Sequence, residues 1–461
     1  MKVKSVFLAV LFALVSTVPC AMENPPSDAS AGVAASAAIS GTSGTATTGS
    51  QSQPLIERIR TGVAAKGVDP DTPQGKLLVA FLAGLLSDPQ SRAAMANAAG
   101  QIASLRPGER LRVLNATSDA MGATPADCEA WLTHGHDLFA LARTLSPQAF
   151  QSEIEFMEIL SRHRQSTSDE QYTTAELLDA EARLNAASLP GDLRDVAQPS
   201  PAQQCELLHT AIAAIDAMPE PLQQRASFEF VRVLAHQPTA VDTVLSDPEA
   251  YLDAMFDEQA LPETIRGRLP ADGSRPLPFR RLVIDGEWVS QIPGESGPIR
   301  DIYVNRHNNG VVSELLTPAG QPAKPEWANF ILSDGFVELR QQSIWKLSVT
   351  PLAALSGDQG TAKADGPFAK GETIVIPQAQ PQPDLTVSQQ CTVGGSRPAS
   401  TVFPSLSGVA VDMQCVSHAQ TGEVTAENQD VWLPDYHVAF NMSWRIKGKA
   451  GHLVIHNITI E

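Results

Sequence analysis

The stretch Tyr436-His437-Val438-Ala439-Phe440-Asn441-Met442-Ser443-Trp444-Arg445-Ile446 sets large apolar residues at every second position and small or polar ones between them. Successive side chains of a strand point to opposite faces, so this alternation describes an antiparallel strand with one face buried and the other toward water. Such a strand needs a sheet. The preceding residues supply it: Leu282 to Ile284, Ile299 to Asn305, Val311 to Leu316, Phe330 to Leu339, Ile344 to Thr350 and Thr373 to Ile376 are all β-rich. Asn309-Gly310 and Asp334-Gly335 predict two-residue hairpin turns, whose central positions both require positive φ.

After the quoted stretch, Lys447 to Gly451 reads as a five-residue loop that sets Ile446 opposite His452 and Trp444 opposite Val454. That register also keeps Asn457 and Thr459 out of the core. Two Gly- and Pro-rich runs, Leu352 to Lys370 and Pro377 to Pro383, separate a β-rich segment at 279–351 from a sandwich-like one at 371–461, as two β domains or as two halves of one.

Upstream the pattern changes. Between Pro54 and Arg266 the dipeptides Thr72-Pro73, Asp88-Pro89, Thr124-Pro125, Ser146-Pro147, Ser200-Pro201 and Asp247-Pro248 each mark a helix start. The first residue caps the free N–H groups of the first turn, and Pro at the next position sacrifices no hydrogen bond. The intervening segments are dense in Ala, Leu, Glu, Gln and Arg, which predicts an all-helical domain over 54–268. Within it Thr124-Pro-Ala-Asp-Cys128-Glu129 echoes Ser200-Pro-Ala-Gln-Gln-Cys205-Glu206. Glu155 to Leu160 and Glu229 to Leu234 repeat the echo in the same order, the pattern of a duplicated helical hairpin. The whole is therefore α+β, with a helical array followed by an antiparallel, sandwich-like β region; Gly267 to Pro278 is the expected boundary.

Lys2 and Lys4 precede an apolar run from Val6 to Val15 that is too short to span a bilayer, and Val18 and Cys20 suit a cleavage site. Residues 1–20 thus read as a signal peptide and the mature chain as periplasmic or secreted; lipidation at Cys20 is opposed by Pro19. Residues 21–53, rich in Ala, Ser, Gly and Thr, read as a disordered tether. No later run approaches the roughly 20 apolar residues of a membrane helix.

Export leaves Cys128, Cys205, Cys391 and Cys415 in a compartment that permits oxidation. Of three connectivities, Cys128 with Cys205 and Cys391 with Cys415 keeps each bridge inside one domain. The net charge of −18 falls mainly on the first half, with 17 basic and 30 acidic residues from Pro54 to Pro270 against 14 and 19 from Ala271 to Glu461. A phosphate backbone needs clustered Lys and Arg, so nucleic acid and anionic lipid surfaces are poor partners for this chain.

Candidate chemistry is sparse. His134-Gly135-His136-Asp137 has good ligand types, but residues two apart on a helix point in opposed directions. His452 and His456 are separated by roughly 13 Å of strand. There is no Gly-x-Ser-x-Gly, His-Glu-x-x-His, Cys-x-x-Cys or phosphate loop, and pairs such as Glu155 with Glu158 are what 51 acidic residues produce by chance. No metal or cofactor is expected. Trp432 and Leu433, in an apolar run closed by Pro434, read either as an interface anchor or as a plug for the core. These features favour a non-enzymatic binding or scaffold protein whose partner is a protein or envelope component. The alternatives are a hydrolase of an envelope or extracellular polymer, its site assembled from residues distant in sequence, and a secreted factor acting on a host or rival cell.

Overall fold

The computed structural model describes residues 54–122, 124–163, 172–188, 200–292, 296–320, 325–346, 348–354, 368–377, 386–419 and 422–461. The expected signal peptide, the tether and Cys20 lie outside them. The chain forms two compact units, Met1–Ala240 and Val241–Glu461, and its class is α+β.

The described part of the first unit is built from helices. All six Ser, Thr or Asp–Pro pairs open one: Pro73–Ser87, Pro89–Ala96, Pro125–His134, Pro147–Arg162 and Pro201–Ala217 here, and Pro248–Met255 in the second unit. In each, the residue before Pro accepts a backbone N–H of the first turn. The core gathers Leu78, Val113, Leu114, Leu141, Phe150, Leu160, Leu207, Ile215 and Val231. A disulfide between Cys128 and Cys205, with Cα atoms 6.2 Å apart, staples the starts of Pro125–His134 and Pro201–Ala217.

The second unit begins at Val241, so Pro248–Met255 and Glu263–Arg266 belong with the sheet rather than with the helical domain that composition extended to 268. The physical reason is aromatic and polar packing. The ring of Tyr251 lies 5.1 Å from that of Phe330, Phe256 stacks on Phe330 at 5.4 Å, and the Tyr251 hydroxyl donates to Gln342 Oε1 at 2.7 Å. An amphipathic helix shows an apolar stripe in its sequence but not which core the stripe serves.

The strands are β1 (Arg281–Ser290), β2 (Gly297–Val304), β3 (Val311–Pro318), β4 (Trp327–Asp334), β5 (Val337–Trp345), β6 (Ser348–Val349), β7 (Ala353–Ala354), β8 (Thr373–Pro377), β9 (Thr386–Pro398), β10 (Val409–Ala419), β11 (Val424–Leu433), β12 (Val438–Ile446) and β13 (Lys449–Ile460). They make one antiparallel sheet in the order β6-β5-β4-β3-β2-β1-β13-β12-β11-β10-β9-β8, with β7 on β5. The pairing of β13 with β1 joins the two β segments into a single sheet, which decides between the one β domain and the two that the sequence leaves open. The sheet curls until β5 and β8 approach each other. Phe336, at the β4–β5 turn, accordingly packs with Ile374 and Ile376 of β8 and with Trp432 of β11. Residues from β1, β2, β3, β10, β11, β12 and β13, among them Leu282, Ile284, Tyr303, Val312, Ala410, Leu433, Phe440 and Ile458, form one cluster on the inner face.

The stretch quoted at the outset supplies β12, with Val438 and Phe440 buried in that cluster. Its hairpin register differs from the expected one. Lys447 and Gly448 both adopt positive φ, 48° and 77°, so the turn has two residues and sets Ile446 opposite Lys449 and Trp444 opposite Gly451. Gly451 is required there: a Cβ would meet the Trp444 ring at 2.5 Å. The shift by an odd number of residues puts Leu453 and Ile455 on the Trp444 face and leaves Val454 exposed. A bulge against β1 then restores the far end, because Gly286 pairs with Ile455 and Asp285 with Asn457, so that Ile458 still enters the core. The other turns also shift. Asp334 pairs with Val337, so that loop is Gly335-Phe336, with Gly335 at φ 59°. Asn309 does not take positive φ, which falls on Asn308 and Gly310.

Candidate functional site

Directly paired residues of neighbouring strands share a face, and the pairing places three carboxyls together on the inner face. One ladder runs Ile284, Asp301, Leu316, Asn329, Ser343 across β1 to β5; the next runs Leu282, Tyr303, Glu314, Ile331, Gln341. Glu338, paired with Ser333, follows on the same face. The opposite face of these strands is sealed under Tyr251 and Phe256. Tyr303 connects the acids to the core: its hydroxyl donates to Asp301 Oδ2 at 2.7 Å and its ring lies 5.8 Å from that of Phe440.

These groups are poorly solvated. Burial pushes the Asp301 carboxyl up to about 7 against the opposing Tyr303 hydrogen bond, and it pushes Glu338 up to about 7 as well. Glu314 rises well above the carboxylate range through burial and the negative charges of Asp301 and Glu338. Near neutral pH such carboxyls exchange protons readily and serve as donor or acceptor. Asp301 Oδ1, Asn329 Oδ1 and Glu338 Oε2 are out of contact with solvent and have no hydrogen-bond partner among the described residues. Across the sheet Asp430 and Asn441, paired on β11 and β12, leave Oδ1 of each in the same condition. Of the second unit's unpaired buried side-chain atoms among the described residues, only Arg340 Nε is a donor. The surplus is of acceptors.

The residues singled out from sequence fall elsewhere. Cys391 and Cys415 are a directly opposed pair on β9 and β10, disulfide-bonded with Cα atoms 4.0 Å apart. Asp430 adjoins them, its carboxylate within 4.8 Å of both sulfurs, and burial pushes it up to about 7. Trp432 and Leu433 are 2% and 0% exposed, which removes them as interface anchors; Trp432 fills the core against Phe336, ring centroids 4.3 Å apart. The backbone does break at Gly135 (φ 55°), contrary to the regular helix assumed for His134 and His136. His136 turns to Glu153, with Nδ1 2.8 Å from Oε1, and stacks on Phe156. His456 is the extra residue of the β13 bulge and lies 3.8 Å from Glu287.

Sequence reasoning passed over Asp301, Glu314, Glu338 and Asp430, although a signal was present. Asp301 interrupts Ile299 and Tyr303 on one strand face, and Glu314 and Glu338 sit inside the apolar runs Val311 to Leu316 and Phe336 to Leu339. A charge at a position that alternation assigns to the core is the mark of a functional or paired group.

The two units define an α+β protein whose described sheet is antiparallel throughout. No protein-family model and no curated protein matches the chain. Among solved structures, 41% of it is similar to 99% of a chain described as a beta-barrel-like protein of domain of unknown function DUF1849 from Brucella abortus, at 12% identity and a TM-score of 0.22. A likeness of that score bears on neither fold nor function.

Proposed function

We propose that this is an exported binding protein, periplasmic or secreted. Its β unit takes a donor-rich partner, a protein segment or envelope component, on the inner face of the sheet, and the disulfide-clamped helical unit serves as scaffold. Two disulfides, and no helix among the described residues long and apolar enough to cross a membrane, are compatible with export. The observation that carries the binding reading is the set of unpaired acceptors at Asp301, Asn329 and Glu338. Each such atom costs about 1–3 kcal/mol when left without a donor. A partner bringing N–H, ammonium or hydroxyl groups would recover that cost on binding.

The test is capture of partners from an envelope extract by the mature protein, followed by calorimetry with the purified partner. The Asp301→Asn/Glu338→Gln double variant, matched for fold by circular dichroism, is compared with the wild type. A partner bound at least ~10-fold more weakly by the double variant, the equivalent of about 1.4 kcal/mol, supports the inner face. Equal affinity for both proteins defeats it.

A further inference from the structure

We propose that the helical unit carries a hydrolytic site in which Ser104 is the nucleophile, His163 the general base and Glu109 the carboxylate that orients it, acting on esters of carboxylic acids. This goes beyond the binding assigned to the β unit and does not rest on it.

Three helix ends bring the groups together. Ser104 closes Ala98–Ala103, Glu109 stands in the first turn of Pro107–Ala120, and His163 ends Pro147–Arg162. His163 Nε2 lies 3.0 Å from Ser104 Oγ, and its Nδ1 lies 3.1 Å from Glu109 Oε2. Each ring nitrogen thus faces one member, in the order hydroxyl, imidazole, carboxylate that nucleophilic hydrolysis requires. The acid is fixed, because the same Oε2 accepts the Arg106 backbone N–H at 3.0 Å. A carboxylate at Nδ1 selects the tautomer with its proton there and leaves the Nε2 lone pair toward Ser104. The imidazole side chain is only 1% exposed, so the ring is held, while Ser104 is half-buried. The Ser104 hydroxyl has one proton and two acceptors, His163 Nε2 and the Gln101 carbonyl at 3.1 Å.

The chemistry balances with water as the only co-reactant. Ser104 Oγ bonds to the ester carbonyl carbon as its proton passes to His163 Nε2. The bond from that carbon to the leaving oxygen then breaks, and the alcohol departs with the proton from Nε2. Water attacks the acyl-serine, giving its proton to Nε2, and the bond to Oγ breaks as Ser104 takes that proton back, releasing the acid. Glu109 touches no reacting atom; it is a positioning residue that stabilises the imidazolium.

The experiment uses the full mature chain, a biotinylated fluorophosphonate and p-nitrophenyl butyrate. The expected result is one covalent adduct, mapped to the peptide containing Ser104, together with ester hydrolysis above the buffer rate. Ser104→Ala should abolish both, and His163→Gln should lower turnover by ~100-fold or more. Glu109→Gln should lower kcat with KM unchanged, and Glu109→Asp should restore part of it. Ser118, whose hydroxyl is 2.7 Å from His209 Nδ1, is the internal control, and Ser118→Ala should hydrolyse like the wild type. Absence of an adduct at Ser104 in the wild-type protein overturns the proposal without recourse to any variant. Hydrolysis that survives in a folded Ser104→Ala protein overturns it equally.

Discussion

Replacing Asp430 by Asn should change how stability depends on pH, with a sign and size that the site fixes. Burial alone pushes this carboxyl up to about 7 from an ordinary value of 3.8. Between those two values the folded protein holds a proton that the unfolded chain has released, so stability is greatest at low pH and falls as pH rises toward 7. At 1.36 kcal/mol per unit the full shift is worth roughly 4 kcal/mol, of which more than half is lost between pH 5 and pH 8. Asn carries no proton to lose. The stability of the wild type minus that of Asp430→Asn should therefore shrink by roughly 2 to 3 kcal/mol from pH 5 to pH 8, whatever constant offset the amide introduces. Urea unfolding followed by tryptophan fluorescence reads this well, because five of the six Trp residues, Trp288, Trp327, Trp345, Trp432 and Trp444, are in the β unit. Other groups of the wild type, including Asp301, Glu338 and His307, titrate in both proteins and cancel in the difference. A difference that stays constant from pH 5 to pH 8, or one that grows, would refute the account of Asp430 as a buried, proton-holding acid.

Gly451→Ala should destabilise the β unit by about 1–3 kcal/mol, because the new methyl lands 2.5 Å from the Trp444 ring and forces it from its place; an unchanged melting temperature would speak against the observed hairpin register. Peptide mapping without reduction should recover Cys128 joined to Cys205 and Cys391 joined to Cys415. The chain-entropy model gives ~4.5 and ~3.5 kcal/mol for these two loops; any peptide joining one pair to the other contradicts the division into units. Thr124→Ala, which removes the acceptor of the Asp127 N–H at the start of Pro125–His134, should cost the helical unit ~1 kcal/mol in urea unfolding.

Local order was legible because it is written locally. The six capping pairs each open a helix for a reason contained in two adjacent residues, and the alternation from Tyr436 to Ile446 marks β12 with no other information. What failed depends on partners that adjacent residues do not specify. Pro248–Met255 has the composition of the array before it, yet it serves the sheet, because Tyr251 finds Phe330 and Gln342 far along the chain. The number of β domains stays open in the sequence for the same reason: its Gly- and Pro-rich runs are visible, whereas the β1–β13 ladder that bridges them is not. The carboxyls of Asp301, Glu314 and Glu338 are three unremarked charges until the ladders align them. Ser104 and His163, 59 residues apart, form no motif.

Register shows the limit most sharply, since the alternation of a strand states which residues share a face but only until the first bulge. A five-residue loop would keep Asn457 and Thr459 out of the core by a single unbroken alternation. The chain instead takes the two-residue turn that Lys447-Gly448 favours and gives up the expected parity at Trp444, where glycine at 451 makes room for the ring. It then recovers that parity by leaving His456 unpaired against β1. A tight turn and a bulge each displace the alternation by an odd number, and together they cancel. The hydrophobic pattern therefore constrains the sum of the irregularities in a strand and leaves their positions to the turn and to the neighbouring strand.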